Sequence, residues 1–189
     1  MCYVHFRANG TMEPCVIDAK GVATYDNNQP IQAENFFILT NRTRRADVRR
    51  QAEGGRKEDL LSVGGGTGFT VGQLAHGSSL HYPRVFNLPA TPRVDLLIRL
   101  SAAGTAPFTL SVHMHEPSAQ SWIGPRVGSC AVQGRATAEW SEYTTLRCPV
   151  QVPRVHMANI VLQFHQSGVS RGEELVKVDF FQFVPSTRD

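Results

Sequence analysis

His113 and His115 stand one residue apart in Phe108-Thr109-Leu110-Ser111-Val112-His113-Met114-His115. On a strand that spacing puts both imidazoles on one face, where they could chelate a metal ion. The rest of that face is Thr109 and Ser111, so a plain polar outer face accounts for it without any ion. The run Gly64-Gly65-Gly66-Thr67-Gly68 invites a phosphate-loop reading. It lacks the Lys-Ser/Thr pair that completes such a loop, and strand-like residues follow it instead of a helix, so it reads as a flexible turn. The acids are scattered: no pair is spaced as a glycosidase acid and nucleophile, and no Gly-x-Ser-x-Gly elbow occurs. Nothing in the chain looks like catalytic machinery, and it is read as a non-enzyme.

Two other residues carry more. Trp140 ends the stretch Gln133-Gly134-Arg135-Ala136-Thr137-Ala138-Glu139-Trp140, a small and polar loop leading into a strand at Tyr143–Cys148. An indole there has little to pack on locally, and its flat face suits the C–H-rich face of a pyranose. A tryptophan folded back over the sandwich edge is the alternative. Asp179 lies in Val176-Lys177-Val178-Asp179-Phe180-Phe181-Gln182-Phe183, where Val176, Val178 and Phe180 would alternate with Asp179, Phe181 and Phe183. A strand apolar on both faces belongs in the middle of a sandwich, and a carboxylate there is costly unless paired or bound to a cation.

These residues need a scaffold, and composition says which. Of 189 residues, 41 % are hydrophobic and only 19 % charged, below the ~25 % of an average soluble domain. The 16 glycines and 11 prolines punctuate short apolar runs. Strand candidates follow at Ala33–Leu39, Phe69–Leu74, Ser79–Val85, Val94–Ser101, Phe108–Met114, Trp122–Val132, Tyr143–Cys148, Met157–Phe164 and Leu175–Val184. This regular spacing predicts an all-β domain, a β-sandwich of jelly-roll type. The only helix-tolerant stretch is Thr43–Ala52, and no βαβ rhythm is present. No apolar stretch is long enough to span a membrane as a helix.

The net charge of +3 is mild. The basic stretch from Arg42 to Lys57 has no interleaved aromatics for base stacking, so it reads as a solvated loop or edge strand and no nucleic acid is expected. The cysteines form no CxxC pair; Cys130 and Cys148 could sit on neighbouring strands as a disulfide or as buried thiols. Residues 1–30 differ from the rest, with Tyr25-Asp26-Asn27-Asn28-Gln29-Pro30 reading as linker. The N-terminus has no signal-peptide pattern.

Four blocks in order resemble one family. They are Ile31-Gln32-Ala33-Glu34-Asn35-Phe36, Val71-Gly72-Gln73-Leu74-Ala75-His76-Gly77-Ser78-Ser79-Leu80-His81-Tyr82-Pro83-Arg84-Val85, Trp140-Ser141-Glu142-Tyr143-Thr144-Thr145, and Val178-Asp179-Phe180-Phe181-Gln182-Phe183. Together they resemble a family 6 carbohydrate-binding module, a β-jelly-roll of galactose-binding-domain-like type, with the module over 31–185. Ahead of it, Tyr3–Gly21, with His5-Phe6, Asn9-Gly10-Thr11-Met12-Glu13-Pro14 and Asp18-Ala19-Lys20-Gly21, resembles the end of a glycoside hydrolase family 43 catalytic domain. The chain would then be a piece of a longer enzyme, with residues 1–30 the end of that catalytic domain plus linker.

The resemblance implies site residues. In the family, the glutamate of the Ala-Glu opening and an acid near the final strand help hold a structural calcium ion; Glu34 and Asp179 match them, with Gln51 a weaker candidate. Oxygen ligands of this kind suit a hard cation. At the loop-end sugar site two aromatic rings commonly sandwich a sugar and an asparagine bonds its hydroxyls. Trp140 matches one ring, Gln73 stands where the other ring belongs, and Phe69 is a displaced substitute. Glu173, Glu174 and Lys177 occupy the region of the asparagine.

The implied function is a non-catalytic module that binds plant cell-wall polysaccharide (xylan, arabinoxylan or β-glucan) and targets an attached glycoside hydrolase. The alternative is a structural sandwich that stabilises the catalytic domain without binding sugar. The implied partners are a polysaccharide or oligosaccharide and the upstream glycosidase domain, with no nucleic acid and no membrane. The implied location is secreted, periplasmic or cell-surface.

Overall fold

The computed structural model describes residues 24–36, 38–40, 48–50, 69–91, 93–104, 106–118, 123–153, 155–166 and 174–187, with the side chains of 34, 38–40, 48–50 and 69 outside the description. In chain order the strands are β1 (Tyr25–Asp26), β2 (Ile31–Gln32), β3 (Ile38–Thr40), β4 (Val48–Arg50), β5 (Phe69–Leu74), β6 (Ser79–Phe86), β7 (Val94–Ser101), β8 (Phe108–His115), β9 (Arg126–Val132), β10 (Thr144–Val150), β11 (Met157–His165) and β12 (Val176–Pro185). Hydrogen bonding links them in the order β1-β6-β11-β8-β9-β10-β7-β12-β5-β4, with β2 on β12 and β3 on β6. The ladder folds at β9–β10 into two layers, β6-β11-β8-β9 and β10-β7-β12-β5, that share one core. The all-β jelly roll expected from the sequence is the fold observed.

Alternation builds that core. Phe108, Leu110, Val112 and Met114 of β8 point inward against Ile160, Leu162 and Phe164 of β11, and Leu96, Ile98 and Leu100 of β7 close the opposite layer. The complementary face of β8 carries half-buried Thr109, His113 and His115, as the spacing predicts. Most connections cross between layers, so loops gather at the two ends of the sandwich. The described residues 75–78, 102–104, 106–107, 133–143, 166 and 174–175 share one end, because Val176 pairs with Leu74, Lys177 with Ser101, Thr144 with Leu100 and Phe108 with Val132.

Four local expectations change. The stretch Tyr25–Pro30, read as linker, is built into the sandwich: β1 pairs in parallel with Val85 and Phe86. Asn27 is buried and its amide exchanges two bonds with the Phe183 backbone, at 2.8 and 2.7 Å. Polar composition misled here, because a buried asparagine can satisfy a strand's backbone as another strand would. The Ala33–Leu39 strand is instead a 3-10 turn at Ala33–Asn35 followed by β3, with the buried Tyr82 hydroxyl donating to the Ala33 carbonyl at 2.9 Å. In β12 the pairing with β7 slips between Val178 and Phe180. That bulge absorbs Asp179, so Val176, Val178, Phe181 and Phe183 join the core and the strict alternation expected around Asp179 does not hold. Within the helix-tolerant Thr43–Ala52, Val48–Arg50 forms a strand on β5; strand pairing decided where local propensity was neutral.

The cysteine question is settled on one side. Cys130 of β9 and Cys148 of β10 form a disulfide, with Cα atoms 5.6 Å apart. It lies at the seam of the two layers, beside Gly128, where an added Cβ would meet the Val150 side chain at 2.5 Å. Only a glycine permits that close strand approach.

Candidate functional site

The Trp140 loop is tied down by β7. Thr137, buried, accepts the Ala102 N–H on its hydroxyl at 3.1 Å and gives its own N–H to the Ala102 carbonyl at 3.2 Å. The Ser101 hydroxyl bonds the Glu139 carbonyl at 3.3 Å, and the Arg135 N–H bonds the Gly104 carbonyl at 2.7 Å. Downstream, the Glu142 carboxylate accepts the Ala138 N–H at 3.1 Å and its N–H closes a turn onto the Glu139 carbonyl. A small polar segment thus becomes a fixed arch, because its backbone groups are met by specific side chains. Trp140 sits near the end of this arch, half-buried.

Trp140 and Gln73 both lean on the lead-in to β12. Lys177 Nζ stands 5.3 Å from the Trp140 ring centroid. Three residues earlier, Glu174 Oε1 accepts the Gln73 N–H at 2.6 Å. Gln73 lies where two residues of β5 oppose one of β12, and its φ is 56°, in the left-handed region that non-glycine residues enter at a cost. A charge-assisted bond to its own N–H holds that conformation. The site is therefore one ring, one amide and one carboxylate at the loop end, half apolar and half wet. An apolar ring face thus stands beside groups able to donate and accept hydrogen bonds.

Behind the loop stands Tyr143. Its hydroxyl donates to Thr70 Oγ1 at 3.3 Å and its ring packs under Arg99, whose Cζ is 5.8 Å from the centroid. Burial first, with Asp179 adding to it, pushes the phenol above its ordinary range and keeps it a neutral donor. Arg99 in turn lies 3.3 Å through Nε from Asp179 Oδ2, and Asp179 is fully buried.

Of the residues singled out from the sequence, Trp140 and Gln73 are brought to one end of the sandwich. Phe69 is in β5, with its side chain outside the description. Asp179 is in the β12 bulge and Glu34 in the 3-10 turn, its side chain also outside; Gln51 lies outside the described residues. Among the described residues no three His, Cys, Asp or Glu groups are placed to hold a metal ion. The described part of the calcium donor set is one carboxylate already matched by a guanidinium, which does not fit a divalent cation. His113 and His115 each set Nδ1 against a backbone carbonyl, of Gly124 at 2.9 Å and of Glu116 at 3.0 Å. Reasoning from sequence missed Arg99 and Thr137; the signal available for Arg99 was its place opposite the one acid of an apolar strand.

No family model and no curated protein matches the chain. Solved structures do match in fold. The chain is similar to CsCBM6-3 from Clostridium stercorarium, solved in complex with cellobiose, with a TM-score of 0.60 and 20 % identity over 86 % of this chain and 98 % of that one. It is similar to a β-1,3-glucan binding CBM6 from Bacillus halodurans, with a TM-score of 0.61 and 18 % identity over 85 % and 98 %. It is also similar to a glycoside hydrolase family 43 arabinoxylan arabinofuranohydrolase from Bacillus subtilis, solved in complex with cellotetraose. There the TM-score is 0.60 and the identity 14 %, over 97 % of this chain and 33 % of that one.

Proposed function

We propose that this chain is a non-catalytic carbohydrate-binding module that stacks one sugar ring of a plant cell-wall polysaccharide on Trp140. Gln73 and Glu174 supply the polar edge of the site. The observation that carries the reading is the arch from Gln133 to Tyr143, whose anchors on Ser101 and Ala102 hold a half-buried indole at the loop end. Neighbours in fold were solved with cellobiose or bind β-1,3-glucan, which supports a β-glucan ligand, and likeness to an arabinoxylan arabinofuranohydrolase supports xylan or arabinoxylan. A module of this kind keeps an attached glycosidase at its substrate by raising effective concentration, so weak affinity suffices. Likeness to the arabinofuranohydrolase over 33 % of its chain supports that attachment. The Cys130–Cys148 disulfide supports a location outside the reducing cytosol, whether secreted, periplasmic or cell-surface.

Affinity electrophoresis on arabinoxylan, xylan and β-glucan tests the site. Trp140→Ala is expected to weaken the retardation of the unsubstituted chain about 5-fold or more, since one lost stack costs about 1 kcal/mol or more of a weak affinity. Unchanged retardation would remove Trp140 from the site.

The second reading, a sandwich that stabilises a neighbouring catalytic domain without sugar, is favoured by one contact: Lys177 stands over the Trp140 ring. A catalytic domain whose melting temperature falls on removal of this segment, with no retardation on any polysaccharide, would establish it.

A further inference from the structure

We infer that the Asp179 carboxylate is held by the guanidinium of Arg99 in place of a divalent cation, so that folding of this chain does not depend on calcium. The carboxylate has no exposed surface, and a buried acid must be neutralised or matched. Arg99 does this from the neighbouring strand β7, with Nε 3.3 Å from Oδ2 and a side chain only 14 % exposed. The Tyr143 ring packed on the guanidinium keeps it from swinging out to water.

A calcium ion at this carboxylate would want six to eight oxygen ligands. It would also face a fixed positive charge at contact distance, shielded from solvent, where like charges repel strongly. A second buried acid of the same sheet is matched in the same way. Asp95 Oδ2 lies 3.4 Å from Arg147 Nη1 on β10 and accepts the Ser186 hydroxyl at 3.3 Å. Among the described residues, both buried acids of this layer therefore draw their cation from the adjoining strand of the chain itself. Tyr143 closes the Trp140 loop, so Arg99 is also a positioning residue for the sugar site; that last step alone rests on the proposed function.

The test is a thermal midpoint of the 189-residue chain in excess EDTA and in millimolar calcium. Neither is expected to move it. A resident calcium site at a thousandfold excess over its Kd would raise the midpoint by roughly 8–16 °C. Arg99→Met is expected to lower it by roughly 10 °C, and Asp179→Asn in the same chain to restore part of the loss. A native midpoint that falls in EDTA and returns with calcium overturns the inference, as does an Arg99→Met chain with an unchanged midpoint. Should Arg99→Met fail to fold, the EDTA and calcium measurements on the unsubstituted chain decide alone. None of these readouts involves sugar, so their failure is distinct from a failure at Trp140.

Discussion

Lys177 Nζ stands 5.3 Å from the centre of the Trp140 ring and donates to that residue's own carbonyl at 3.4 Å. The two contacts fold the ammonium over the indole and leave it competing with a sugar for the ring face. A cation on an aromatic face at a partly exposed site is worth about 0.5–1 kcal/mol. A pyranose that stacks there must displace it. Lys177→Met keeps the apolar stem and removes the charge, so sugar affinity is expected to rise about 2- to 5-fold, read by isothermal titration with oligosaccharides. Weaker binding in that variant would mean that Lys177 contacts the sugar.

Much of the fold was legible because period-two patterning is a short-range signal. β8 shows it plainly: Phe108, Leu110, Val112 and Met114 inward, Thr109, His113 and His115 outward. Trp140 was legible because a large ring in a run of small residues has no local packing partner. Asp179 was legible as a problem, an acid in an apolar strand, but its solution was not. Arg99 is 80 positions away in sequence and meets it only because β7 and β12 pair and β12 bulges. Asn27 failed for the same reason: polar composition marks a linker locally, and only the contact with Phe183 makes it part of the core. Gln73 looked like a lost aromatic, and the structure adds a left-handed backbone held by Glu174.

The disulfide joins the two layers where backbone pairing is thinnest. β9 and β10 share one register pair, Val150 with Gly128, and two residues further along both strands stand Cys130 and Cys148. They are separated by 18 residues, a loop whose closure is worth about 3 kcal/mol in the chain-entropy account. Replacing both cysteines by serine is expected to lower the melting temperature by roughly 6–12 °C. Differential scanning calorimetry of the variant and the unsubstituted chain checks this. A drop of that size under oxidising conditions matches the loop-closure contribution of the cross-link; an unmoved midpoint would mean that the disulfide adds nothing measurable to stability.

Acid should weaken the outer face of the β6-β11-β8 layer. Burial, then the charge of His115, holds His81 below its ordinary value of 6.5. Burial, then His76 and His113, does the same to His165. Around them stand Ser79, whose hydroxyl is 3.0 Å from His81 Nε2, and the His76 ring, 5.8 Å from that of His165. His76 accepts the Gln166 N–H on Nδ1 at 3.0 Å. Arg126 pairs across from His113 and adds a further positive charge to the face. The unfolded chain binds protons at His81 and His165 more readily than the folded one. Stability is therefore complete above about pH 6.5 and is lost as the pH falls below it. Melting temperatures measured from pH 8 to pH 5 are expected to be flat at first and then to decline. In a chain carrying His81→Gln and His165→Gln the decline should be shallower. An equal decline in that chain would place the acid sensitivity outside these two histidines.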